Sequence, residues 1–275
     1  MARTRQRART IDNTINQIRD GVFENLKQLE ERIAELVLQG ANPQLIRPQV
    51  IAEFNKFQNN IKGVAGGVRD ISQSTGVTTQ EDASAENILV EQSQNTIASE
   101  FSGGAEKIMN GIVVGAAAGL ATDMIAKQAR AAISGVMLTS DDREIRKQQR
   151  IMKKKGATPE EIAKASRVIK QRLTGINTTA SLRDLTNRAT EQTVMKFDGA
   201  YTFGKAKREG KTRFQYEGGI VSESREWCRS HVGETYTEEE IYALWDDDWQ
   251  GKEPGDPFVV RGGYNCRHFW IPVDE

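Results

Sequence analysis

The sequence predicts an α+β protein: a long, mostly helical N-terminal region followed by a small C-terminal α+β module. Three observations carry this. Apolar residues recur at helical spacing through most of the first 210 positions, with Gly, Pro and capping residues between the runs. All four Trp and all five Tyr lie in the last 75 residues, whereas residues 1–196 hold only Phe23, Phe54, Phe57 and Phe101 as aromatics. Charge divides the same way: residues 217–275 carry 14 acidic and 5 basic side chains, a balance of −9 that the preceding residues cancel to a net charge of zero. The length of 275 residues suits two domains of ordinary size. A hydrophobic content of 37% with a mean hydropathy of −0.58 excludes a packed membrane protein, and two cysteines exclude a secreted disulfide scaffold.

Four segments follow from these patterns. Residues 1–10 read as a basic, flexible arm, with Arg3, Arg5, Arg7 and Arg9 and no apolar run of a secretory signal behind them. Residues 11–138 form a helical assembly region. Residues 139–210 supply basic helices and a long connecting helix, and residues 211–275 make the small Cys/His module.

The first helix is marked by Ile11, Ile15, Ile18, Val22, Leu26, Leu29, Ile33 and Leu36, whose steps of three and four leave one narrow apolar stripe. Such a helix needs a partner, from its own chain or from a neighbour. Gly40 ends it. A second helix is expected from about Pro48 to Lys62, and Gln73 to Ala85 reads as a polar loop. Within GIVVGAAAGLA, Gly111, Gly115 and Gly119 repeat every four residues and form a groove for a closely approaching helix. A membrane span is disfavoured there, because the uncharged run between Lys107 and Asp123 has only 15 residues.

Ser140, Asp141 and Asp142 start a basic helix ending at Gly156, and Thr158, Pro159 and Glu161 start another. Between Arg143 and Arg172 there are 11 basic and 3 acidic residues. Arg143, Arg146, Lys147, Arg150, Lys153, Lys154 and Lys155 are therefore candidate contacts to packaged nucleic acid or an acidic protein, or simply a solvated charged face. Ser181 and Asp184 cap a long helix from Leu182 to about Glu209, ended by Gly210. Beyond it, Phe214 and Tyr216 alternate as in a strand. Thr237 and Glu240 form a capping box, 246–256 is an acidic loop, and strand-like alternation returns at Phe258, Val260 and Phe269 to Val273.

The chemistry concentrates in this module. The only cysteines and histidines are Cys228, His231, Cys266 and His268, spaced C-x-x-H, 34 residues, C-x-H. Two close pairs of thiolate and imidazole donors fit a structural zinc site that cross-links a small domain. A Cys228–Cys266 disulfide would tie the same segments, and buried Cys and His with no such role are the third reading. A Cys228/His268 nucleophile pair is the catalytic alternative, a hydrolase or nuclease, but no nucleophile elbow or oxyanion-forming glycine motif surrounds Cys228.

From TNRATEQTVMKF to NCRHFWIPV, about residues 180–275, the chain resembles the Mu F-like minor head (head morphogenesis) proteins of tailed phages and prophages. The matching positions are Ser224, Arg225, Cys228, Gly233, Tyr236, Tyr264, Asn265, Cys266, Arg267, His268, Pro272 and Val273. The departures are that His231 stands where many relatives have the second Cys of C-x-x-C, His268 replaces their last Cys, and Gly263 stands at their first His. The resemblance implies a low-copy structural protein of the virion, at the portal vertex or capsid interior, assembled in the host cytoplasm. Its implied partners are the portal and capsid proteins, with packaged DNA and further copies of itself as additional ones, and no small-molecule substrate. Relatives that carry an appended enzyme domain have it after this module, and the chain reaches only two residues past Val273, so no enzyme is expected. The alternative role is an ejected genome-delivery protein touching membrane or DNA.

Overall fold

The computed structural model describes residues 2–40, 42–77, 79–134, 158, 161, 181–222, 224–263 and 266–274. The architecture is α+β, as expected. Among the described residues, seven α-helices come first: α1 (Ala2–Gln39), α2 (Pro43–Ala65), α3 (Arg69–Thr75), α4 (Gln80–Glu100), α5 (Gly104–Ala117), α6 (Thr122–Ser134) and α7 (Leu182–Arg208). The C-terminal module then runs β1 (Arg213–Glu217), α8 (Glu226–His231), β2 (Thr235–Thr237), α9 (Glu238–Leu244), α10 (Pro257–Val260) and β3 (Phe269–Val273).

Contacts divide the chain into two compact units, and the boundaries fall inside helices rather than at 138/139 and 210/211. One unit holds 1–20, 62–97 and 188–275; the other holds 21–61 and 98–187. The reason is that α1, α2, α4 and α7 are each long enough to contribute residues to both.

Along α1 the expected stripe is buried by the chain itself, from Ile11, Ile15 and Ile18 in the first unit to Val22, Leu26, Leu29 and Ile33 in the second. Val37 rather than Leu36 is its last fully buried position. Each such side chain contributes about 1.5–3 kcal/mol on burial, so this helix needs no neighbouring subunit to cover its seam. The expected basic arm is instead the first turns of α1. Arg7 is held there by Asp198 of α7, which accepts from Nη2 at 2.8 Å on both carboxylate oxygens, while Thr202 Oγ1 accepts at 2.6 Å. The guanidinium also lies 5.2 Å from the centroid of Phe269. A charge-assisted bidentate pair explains why a residue in an apparent tail is ordered.

Two expectations about 43–85 are corrected. Helix α2 starts at Pro43 and takes Pro48 into its second turn, where the loss is one early backbone bond; Asn42 Oδ1 accepts from the Gln44 N–H at 3.0 Å and secures the start. The polar stretch 73–85 is mostly helical. Gly76 closes α3 with φ 94°, and α4 begins with a reciprocal cap in which Thr79 N–H donates to Asp82 Oδ2 (3.1 Å) and Asp82 N–H donates to Thr79 Oγ1 (3.0 Å). Asp82 also receives Arg208 of α7 at 2.7 and 2.9 Å and lies 3.5 Å from Lys205.

The glycine groove is shorter than expected. Gly111 and Gly115 are buried on α5, and a Cβ on Gly115 would lie 3.0 Å from Ile125 and 2.6 Å from Gln128, so α6 packs directly on its backbone. Gly119, however, lies beyond the end of α5 with φ 67° and open space around it. Its role is the left-handed turn that lets α6 fold back on α5. No described helix is long and apolar enough to cross a membrane. The basic segment with Arg143, Arg146, Lys147, Arg150, Lys153, Lys154 and Lys155 lies outside the described residues; the Thr158–Glu161 cap is formed, with Glu161 Oε2 accepting from Thr158 N–H at 2.8 Å.

In the module, β1 is central in the antiparallel order β2-β1-β3, with Phe214 opposite Tyr236 and Pro272, and Tyr216 opposite Trp270. The inward face of β1, Phe214 and Tyr216, meets Trp227, Cys228, Ile241, Phe258, Cys266 and Trp270 in one core. Phe258 and Val260, expected in a strand, form the helical turn α10 instead: Asp256 caps it from Phe258 N–H at 2.8 Å and Pro257 occupies N1. That turn presses on α7, where a Cβ on Gly199 would meet the Phe258 carbonyl oxygen at 2.3 Å.

Two substitutions test these contacts by urea denaturation. Arg7→Ala strands Asp198, which is fully buried, and should cost about 3–5 kcal/mol. Gly199→Ala should cost about 1–3 kcal/mol through overpacking against backbone that cannot move aside. Unchanged midpoints would contradict the packing described.

Candidate metal centre

Three of the four Cys and His residues converge. Cys228 is on α8, and Cys266 and His268 are on the segment entering β3; one donor atom from each falls within 4.8 Å of the others, and all three are buried. Exposures are 1%, 5% and 5%, so the donors face the core rather than solvent. The Sγ atoms are 4.0 Å apart and both cysteines are free thiols, so this structure holds the pair without the disulfide. Cys266 Sγ lies 3.4 Å from His268 Nδ1. Together they form a group of soft donors suited to a metal ion.

His231 does not join them, which corrects the four-residue set. Its Nδ1 lies 2.5 Å from the Trp227 carbonyl oxygen and 3.1 Å from Ser230 Oγ, and its ring stacks on Trp227 at 4.4 Å. The short helix α8 places Cys228 and His231 three residues apart, yet Trp227, immediately before Cys228, claims the imidazole. His268, in contrast, is stacked on Tyr216 at 5.3 Å, and its Nε2 has no hydrogen-bond partner among the described residues.

Four residues of the site were not assigned to it from the sequence. Tyr216 brings its hydroxyl to 3.3 Å from Cys266 Sγ and 3.6 Å from Cys228 Sγ. Arg261, almost completely buried with φ 53°, sends Nη1 to the Met195 carbonyl and its charge toward Cys266. A left-handed non-glycine residue is strained by about 1–3 kcal/mol, and the burial of its cation is a second cost. Gly262 lies against the donors: a Cβ there would sit 2.5 Å from Cys228 Sγ, 2.8 Å from Tyr216 Oη and 2.9 Å from Cys266 Sγ. Gly218, with φ 150°, likewise leaves room for the His268 ring, which a Cβ would meet at 2.5 Å. The alternation of β1 points Tyr216 inward, and the consecutive Gly262 and Gly263 beside Cys266 mark a tight approach; these were the available signals.

Electrostatics divide the thiols. The hydrogen bond from Cys228 lowers the Cys266 pKa most, aided by His268 and Arg261 against the opposing effect of burial. The same shared proton, together with burial, raises the Cys228 pKa. Burial and then the adjacent sulfur charges raise that of Tyr216.

A side chain at 262 would collide with the donors. Gly262→Ala should destabilise the module by about 1–3 kcal/mol in thermal or urea melts followed by tryptophan fluorescence, whereas Gly219→Ala, with nothing within 4 Å of the added carbon, should change it little. Equal effects of the two would refute the close approach. The site stands on this geometry alone, because no family model, no curated protein and no solved structure matches the chain.

Proposed function

We propose that this chain is a structural, non-catalytic component of a tailed-phage or prophage head, a minor head protein of the Mu F-like kind acting at the portal and capsid interior. The observation that carries the non-catalytic reading is the burial of Cys228, Cys266 and His268 in an aromatic core. A nucleophile has to meet its substrate, and these sulfurs meet Tyr216, Gly262 and each other. The phage assignment rests on the motif residues of the module, of which Cys228, Cys266 and His268 come together in space.

Zinc is the metal this reading assigns to the group. Zinc bound by thiolates at about 2.3 Å and by imidazole at about 2.0–2.1 Å in a tetrahedron spaces two sulfurs by about 3.8 Å and sulfur from nitrogen by about 3.5 Å. The corresponding separations here are 4.0 and 3.4 Å. Cys228, Cys266 and His268 would hold the ion, and its binding free energy would become folding free energy for a module with a three-stranded sheet. The portal and capsid proteins are the proposed partners.

Two measurements decide. Mass spectrometry of purified particles should find the chain at low copy in heads; its presence in the lysate but absence from heads would defeat the assignment. Metal analysis of reduced full-length protein should give about one equivalent of zinc, and a chelator should remove it with loss of tryptophan-reported packing. Metal-free protein with a Cys228–Cys266 linkage under nonreducing conditions would transfer the clamp to a disulfide.

A further inference from the structure

The geometry points to Tyr216 as the fourth donor of the metal centre, in the place that the sequence assigned to His231. This inference rests on the metal reading above and adds to it a ligand outside the Cys/His pattern.

The argument is one of edges. Tyr216 Oη lies 3.3 Å from Cys266 Sγ and 3.6 Å from Cys228 Sγ; the sulfurs are 4.0 Å apart; and Cys266 Sγ is 3.4 Å from His268 Nδ1. A tetrahedral zinc-type ion requires about 3.8 Å between two sulfurs and about 3.5 Å between sulfur and a nitrogen or oxygen donor, so all four separations agree within about 0.2 Å. The phenol oxygen therefore stands at donor spacing from both sulfurs.

Tyr216 is also fixed in place. Its N–H donates to the Glu234 carbonyl at 3.0 Å and its carbonyl accepts from Gly233 N–H at 2.7 Å. Its ring is enclosed by Trp227 at 5.4 Å, Trp270 at 4.6 Å and His268 at 5.3 Å. Gly262 bares its backbone to this oxygen and to both sulfurs at once, as a donor set closing on a small ion requires. His231 is engaged elsewhere, by the Trp227 carbonyl and ring.

The test uses the reduced full-length chain with Co²⁺ as the probe, its affinity read by competition with a chromophoric chelator and its geometry by the visible cobalt bands. Tyr216→Phe keeps the ring contacts and removes only the oxygen. It should weaken Co²⁺ binding by about 10-fold or more and shift the bands, while His231→Ala leaves both as in the wild type. Should Tyr216→Phe fail to fold, the wild type decides: Co²⁺ or Zn²⁺ addition should produce the ultraviolet difference band of a metal-bound phenolate, and its absence overturns the proposal. Unchanged affinity and bands in folded Tyr216→Phe overturn it too, as does a loss confined to His231→Ala. Those results leave the metal reading intact if Cys228→Ser abolishes binding. Wild-type protein that takes up no Co²⁺ overturns the metal reading itself, and this inference with it.

Discussion

Two thiols gathered around one tyrosine oxygen, with an imidazole beside the second thiol, are the constraint on which the C-terminal module depends. A three-stranded sheet with short helices has little aliphatic core, and its inward positions are taken by Phe214, Tyr216, Trp227, Phe258 and Trp270. Aromatic rings bury large areas, but their polar edges and the sulfurs among them must find partners. The module meets that demand in part, by directing polar groups at one another, while Trp227 Nε1, Arg261 Nε and His268 Nε2 have no partner among the described residues. Tyr216 faces Cys228 and Cys266, Cys266 faces His268, and Trp270 Nε1 donates to the Pro257 carbonyl at 3.2 Å. Glycine at 262 and 218 allows backbone to approach where a side chain would collide, and the strained, buried Arg261 lowers the pKa of Cys266 through its positive charge.

The same economy governs the rest of the unit that contains the module. Asp198 and Asp82 are buried acids whose cationic partners come from distant sequence, Arg7 for the first and Arg208 with Lys205 for the second. Each acid would be costly alone, and removing one partner leaves the other charge stranded. These pairs tie the start of α1 to α7, and the start of α4 to the end of α7, in specific registers. An apolar contact of the same area would tolerate sliding by a turn; a bidentate ion pair with a capped helix end does not.

Sealing of the α1 stripe changes what the helical region can mean for function. A one-striped helix is compatible with docking on another protein or with burial in its own chain, and here Ile11 through Val37 are buried. Any partner of α1 has to meet its outer, mostly polar surface. The donors of the Cys/His centre face the interior of the module.

Much of this was legible in the sequence because the signals are local. Helical period, the Thr237–Glu240 cap, the Gly210 stop and the alternation of Phe214 and Tyr216 each involve neighbours a few residues apart, so backbone geometry alone carries them into the structure. Local signals were also misread where two competed: Thr79 and Asp82 start a helix inside a polar stretch, and Asp256 with Pro257 turns an apparent strand into α10. The C-x-x-H and C-x-H spacings identified the donor residues but not the set. Which atoms meet was decided by tertiary structure: Trp227 takes His231, β1 delivers Tyr216, and Gly262 admits both sulfurs. Spacing along a chain limits where a side chain starts, whereas its direction follows from the neighbours that pack around it, and those range here from four positions away for Trp227 and His231 to 50 for Tyr216 and Cys266.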